Sequence, residues 1–83
     1  MPFSELKGWE VVEGHHLHKA YKFPDFQTAL DFVNRIGATA EAQGHHPDLM
    51  LGWGKVEVSI FTHTANGVTE KDYTLAAAID GLI

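Results

Sequence analysis

Six of the 83 residues are histidine, and they fall in three groups: His15, His16 and His18; His45 and His46; and His63. Imidazole is the side chain that gives and takes protons near neutral pH, so the groups are first read as acid–base chemistry. Glu41 lies one helical turn before His45, and Pro47 holds His45-His46 on a short ordered turn. A hairpin running from Asp48 to His63 returns His63 to the same end. Glu41, His45, His46 and His63 thereby form a candidate convergent site. The plainer alternative is a set of unconnected surface and helix-end histidines. Three histidines and a carboxylate could also hold zinc or non-haem iron, although the spacing is not the helical HExxH pattern and adjacent histidines tend to point apart. His16 and His18 share a strand face and could chelate, against the simpler reading of a solvated hairpin edge. Cysteine is absent, which removes disulfides, thiolate nucleophiles and Cys-based zinc sites. Lys55 lacks the GxxxxGK[ST] frame of a phosphate loop, and there is no GxSxG.

These residues need elements to hold them in place. Trp9–Glu13 reads as a short strand with Gly14 as its turn, and His16–Phe23 alternates as a second strand with Leu17, Tyr21 and Phe23 on one side. Pro24 ends it, and Asp25 can cap the helix beyond. Phe26, Ala29, Leu30, Val33, Ile36, Gly37 and Ala40 recur at helical steps, predicting a helix from about Asp25 to Gln43 with Gly44 as its stop. Asp48–Trp53 reads as a third strand with Leu49, Leu51 and Trp53 on one face. Lys55–His63 reads as a fourth, with Val56, Val58, Ile60 and Thr62 opposite Glu57, Ser59, Phe61 and His63. Asn66-Gly67 marks a turn. Thr69 to Asp72 resembles a capping box, opening a helix whose stripe is Asp72, Leu75, Ala76, Ile79 and Ile83. The expected fold is α+β, in the order β-β-α-β-β-α: a mostly antiparallel four-stranded sheet with both helices on one face. Phe61 and Trp53 are candidates for exposed apolar surface, and such a face usually leads to association.

Length and composition bound the rest. Eighty-three residues make one small domain, 1–83, and 45% hydrophobic against 20% charged residues excludes a disordered chain. No apolar run approaches the roughly 20 residues of a membrane helix, and nothing suggests a signal peptide, so a cytoplasmic protein is expected. Six Lys+Arg against 11 Asp+Glu, a net charge of -5, argues against direct nucleic-acid binding.

The pattern Glu41-x-x-x-His45-His46-Pro47, then Thr62-His63, then Gly67-Val68-Thr69-x-x-Asp72-x-x-Leu75-Ala76, resembles the pterin-4a-carbinolamine dehydratase family. Trp9, the alternation from Leu17 to Phe26, and Ala29, Phe32 and Ala40-Glu41 extend the resemblance from Trp9 to Asp80. The family usually carries Trp where this chain has Leu49, and Asn with Tyr or Trp where it has Leu51-Gly52-Trp53-Gly54; these departures bear on the pocket wall.

The resemblance implies a hydro-lyase that dehydrates 4a-hydroxytetrahydropterin to quinonoid dihydropterin, recycling the tetrahydrobiopterin-type cofactor of aromatic amino-acid hydroxylases. It implies His45 and His46 as proton-transfer groups, His63 at the 4a-hydroxyl, and Glu41 orienting a histidine. Pro47, Thr62, His63, Thr64 and Ala65 would shape the pterin cleft. It also implies no metal, no cofactor beyond the pterin substrate, and a homodimer or homotetramer. An aromatic amino-acid hydroxylase is the functional partner it suggests. The alternative is a non-catalytic interaction module on the same fold.

Overall fold

The computed structural model describes residues 8–83; expectations that concern the first seven residues lie outside them. The elements are β1 (Glu10–Val12), β2 (His16–Lys22), α1 (Phe26–Gln43), β3 (Asp48–Gly52), β4 (Lys55–Ile60) and α2 (Glu70–Asp80). The four strands form one sheet in the order β1-β2-β4-β3, every neighbouring pair antiparallel. The central pairing is long-range: Leu17 faces Ile60 and Lys22 faces Lys55. Strand alternation puts Leu17, Tyr21, Val56, Val58 and Ile60 on one face. There they form a single buried cluster with Ala29, Phe32 and Ile36 of α1 and Leu75, Ala76 and Ile79 of α2. Each fully buried aliphatic side chain stabilises the fold by about 1.5–3 kcal/mol. The architecture is the expected α+β one.

Several boundaries differ from the sequence reading. The buried stripe of α1 is Ala29, Phe32, Ile36 and Ala40, while Phe26 is exposed. Phe32 wins the inward position because it packs on Tyr21 and Phe23, with ring centroids 4.8 and 5.1 Å away. Trp53 does not continue β3. It sits in the two-residue turn before β4, and Gly54 beside it has φ +66°, where a Cβ would lie 2.8 Å from the Phe23 carbonyl oxygen. Trp53 therefore points to solvent, 76% exposed. β4 ends at Ile60 rather than His63, because Thr62 is drawn into a tight turn closed by mutual backbone bonds with Gly67. α2 stops at Asp80, which leaves Ile83 exposed instead of on the stripe.

The uncovered sheet face is mixed: exposed Met50 lies opposite Glu57 at its edge, while its centre is charged and polar. His18 pairs with Glu57 at 3.0 Å and Lys55 with the same carboxylate at 3.2 Å. The hydrogen bond from His18, then that from Lys55, holds the Glu57 carboxyl below its usual range. Phe61 does point away from the core, but it is half-buried between His15 and His63 and is not an open patch.

Asp80 ties the last turn of α2 to the sheet. It accepts from Trp9 Nε1 at 3.0 Å, Lys19 Nζ at 2.8 Å and Tyr21 OH at 2.5 Å. Partial burial pushes its carboxyl upward. The hydrogen bonds from Lys19, Tyr21 and Trp9 and the Lys19 charge outweigh that and hold it below the ordinary carboxylate range. Burial, then the hydrogen bond to Asp80 and its charge, push the Tyr21 phenol far upward, so it stays a donor. A carboxyl lowered by folding adds stability above its unfolded pKa, and that contribution is lost as pH falls through the folded value. Asp80→Asn should therefore cost about 1–3 kcal/mol at pH 7. It should also weaken the loss of stability below about pH 4, near the unfolded value of an aspartate. Urea unfolding at neutral and acid pH measures both, and identical acid sensitivity in variant and parent would refute the assignment.

Candidate active site

The site lies where the end of α1, the turn after β4 and the start of α2 meet. α1 ends in a left-handed residue, Gly44 (φ +66°), whose N–H donates to Glu41 O while His45 N–H donates to Ala40 O. This paired C-terminal closure needs φ > 0, which glycine adopts without a Cβ penalty. Its consequence is that the backbone of His45 is anchored to the helix it has just left. At α2, Asp72 reaches back to accept from the Thr69 N–H at 2.6 Å, one of the two reciprocal contacts of the expected capping box, both of which are present.

Asp72 does more than cap. It is fully buried, and its Oδ2 also accepts from the Thr62 hydroxyl at 2.9 Å. Thr62 Oγ1 is 2.7 Å from Thr69 Oγ1. The other carboxylate oxygen, Oδ1, lies 2.6 Å from Nε2 of His45, whose side chain is 14% exposed. The groups around the carboxylate other than His45 are donors to Oδ2, so the His45 Nε2–H is the natural donor to Oδ1, leaving the Nδ1 lone pair free. His46 makes the parallel arrangement in water: its Nε2 is 2.5 Å from Glu41 Oε2, and both side chains are open to solvent. The site thus contains two histidine–carboxylate pairs in opposite environments, one buried and one exposed.

His45, His46 and His63 line a common cleft of about 330 Å³ with Gly44, Thr62, Thr64 and Lys71. The three histidines expected to converge do so. Glu41 meets His46, not the His45 that its helical spacing suggests, because the Gly44 turn swings His45 toward α2. Pro47 shapes the chain but does not line the cleft, and Ala65 lines a neighbouring hollow with Thr64 and Thr69. Sequence reasoning misses Asp72 and Lys71 as site residues. For Asp72 the available signal is an aspartate on the apolar stripe of α2, since a buried carboxylate needs partners. His15, His16 and His18 do not converge: His18 turns to Glu57, and His15 faces His16. Among the described residues no three His, Asp or Glu side chains come together as a metal site would require.

The description "Pterin 4 alpha carbinolamine dehydratase" belongs to a family model that matches residues 2–82, and the chain is a member of that family. A Rubrobacter xylanophilus protein provisionally named pterin-4-alpha-carbinolamine dehydratase is 53% identical over 78 residues, covering 94% of this chain and 73% of that one. A Rickettsia canadensis protein with the same provisional name is 53% identical over 81 residues, covering 96% of this chain and 74% of its own length. Among solved structures, the transcriptional coactivator/pterin dehydratase from Brucella melitensis superposes with a TM-score of 0.90 at 34% identity, over 96% of this chain and 86% of that one. A pterin dehydratase-like RuBisCO assembly factor of the alpha-carboxysome shares the fold, with a TM-score of 0.78 at 23% identity, over 90% of this chain and 88% of that one. No helix among the described residues is long and apolar enough to cross a membrane.

Proposed function

We propose that this protein dehydrates 4a-hydroxytetrahydropterin to quinonoid dihydropterin by histidine acid–base catalysis, in the recycling of pterin cofactor for aromatic amino-acid hydroxylation. The observation that carries the reading is the His45–Asp72 pair at 2.6 Å, set beside His46–Glu41 and His63 around one cleft. In the reaction the C4a–O bond breaks and hydroxide leaves as water, taking a proton from an acid. N5 loses its proton to a base, and its electron pair forms the C4a–N5 double bond. Each positioned acid or base contributes roughly 10²–10⁴-fold. His45, with Nε2–H donated to Asp72, takes the N5 proton on Nδ1, and the buried carboxylate stabilises the imidazolium that forms. His46 and His63 serve the hydroxyl side, where water can restore the proton. Thr62 to Thr64 form one wall around the pterin, with Ala65 and Pro47 supporting the backbone on either side.

Stopped-flow mixing with a synthetic 4a-hydroxytetrahydropterin tests this. Dehydration no faster than in buffer would overturn it. Pretreatment with a strong chelator should leave the rate unchanged, whereas recovery only on added zinc or iron would replace proton transfer with metal chemistry. A binding-only role is the weaker reading, since an interaction module has no use for two oriented histidine–carboxylate pairs. Association into a homodimer or homotetramer belongs to the same proposal. Sedimentation equilibrium at micromolar concentration should return a multiple of 9.2 kDa, and a mass of 9.2 kDa at every concentration would remove it.

A further inference from the structure

His45 and His46 are each oriented by a carboxylate, but His63 is not. Among the described residues its ring has no hydrogen-bond partner, although it is exposed on a turn. What it does touch is Phe61, with centroids 4.3 Å apart and planes tilted by 38°. Phe61 lies in the same way against His15, at 4.5 Å and 38°. His15 is fixed in turn by His16, with the two Nδ1 atoms 3.2 Å apart. A row of rings thus runs from the tip of the β1–β2 hairpin into the cleft. The backbone keeps the same neighbourhood: a Cβ on Gly67, at the foot of the His63 turn, would rest 3.6 Å from the Gly14 carbonyl oxygen.

Phe61 is not part of the buried hydrophobic cluster, so core packing does not account for it. An exposed imidazole on a turn otherwise samples several rotamers, and ordering it at the moment of reaction slows the step. Ring pairs of this kind favour one orientation by roughly 2- to 10-fold. A benzene face also differs from a carboxylate in what it leaves available. A carboxylate occupies one ring nitrogen and selects a tautomer; a phenyl ring occupies neither.

We propose that Phe61, backed by His15, is the positioning residue for His63, holding its ring by stacking so that both nitrogens remain open to the substrate. The proposal rests on the reading of His63 as a group acting on the pterin in the cleft. It gives the hairpin tip a part in the site even though no hairpin residue lines the cleft.

The test uses the full chain with Phe61→Leu, which keeps apolar bulk and removes the flat face, beside His15→Ala, Phe61→Tyr, the Phe61→Leu/His15→Ala double variant, and His63→Ala. Stopped-flow dehydration gives kcat and KM, and proton–carbon correlation spectra give the His63 ring shifts. Phe61→Leu should lower kcat roughly 3- to 10-fold with little change in KM. It should also move the His63 ring protons downfield as the ring current is lost. Phe61→Tyr should retain the rate. His15→Ala should cost less than Phe61→Leu, and the double variant no more than Phe61→Leu alone, because His15 acts through Phe61. If His63→Ala has the parent rate, the reading of the cleft fails and the proposal goes with it. If His63→Ala is severely impaired while Phe61→Leu keeps the parent kcat and His63 shifts, positioning alone is overturned. Should Phe61→Leu not fold, the parent protein still decides: no nuclear Overhauser contact between the Phe61 and His63 ring protons refutes the stack.

Discussion

Alanine at His45 or at His46 should slow dehydration by roughly 10²- to 10⁴-fold, about 3–5 kcal/mol in the barrier, without unfolding the chain. The two substitutions remove groups of similar chemistry from opposite environments, so their side effects should differ. His46 and Glu41 are both open to water, and an exposed pair of this kind contributes less than about 1 kcal/mol to stability. His46→Ala should melt with the parent protein. His45 satisfies one oxygen of a buried carboxylate, and its removal leaves Asp72 Oδ1 without that partner while Oδ2 keeps Thr62 and Thr69. His45→Ala should therefore also cost about 1–3 kcal/mol of stability. Stopped-flow rates paired with thermal melts measure the split. Parent-like rates in both variants would sink the assignment of proton transfer to this pair.

Asp72 carries the second large effect, because one side chain serves the fold and the chemistry together. Asp72→Ala strips the α2 cap of its Thr69 contact, leaves the Thr62 hydroxyl and the His45 ring without their carboxylate, and opens a hole at a fully buried position. The expected cost is about 3–5 kcal/mol, a large part of the total stability of a domain this size. Asp72→Asn separates the two roles. Its amide oxygen can still accept from Thr69 and Thr62, so stability should fall by less than about 2 kcal/mol. Its amide nitrogen now faces His45 and donates, which forces His45 to accept at Nε2 and to carry its proton on Nδ1. That is the wrong tautomer for a base at Nδ1, and a rate loss of roughly 10²–10⁴-fold is expected. Nitrogen-15 shifts of the His45 ring report the tautomer directly. An Asn variant with the parent rate would show that Asp72 is structural only.

Much of this arrangement is legible in the sequence, and the failures have physical causes. Strand parity in β2 and β4, the α1 boundaries at Asp25 and Gly44, and the convergence of His45, His46 and His63 come from alternation, caps and hairpin closure, all of which are local rules. The inward turn of Phe32 is not legible in this way, because it depends on Tyr21 and Phe23, which lie outside the helix. Pairing Glu41 with His45 treats the helix as continuing past its last residue. The left-handed Gly44 breaks that continuation and hands Glu41 to His46 instead. Asp72 reads as a cap, because a carboxylate at the third helical position already has a sufficient local explanation. Its second oxygen finds its partner 27 residues earlier in the chain, beyond the reach of any local rule. Strand parity settles which way Phe61 points but not what it meets, since its two imidazole neighbours come from a hairpin tip and a turn.

The site draws on the end of α1, the turn beyond β4 and the first turn of α2, and the β3–β4 hairpin, with Asp48 opposite Ser59, returns the turn beyond β4 to the end of α1. Its residues are spread from Glu41 to Asp72, over two helix ends and the turn between them. The His-His-Pro run cannot be transplanted as a motif, because its first histidine is defined by an aspartate supplied from another helix. Grafting this chemistry onto another scaffold means importing two helix ends at a fixed separation, not a loop. The arrangement around His45 is thus a property of the fold, and a fragment lacking α2 would keep the histidines but lose the group that orients His45.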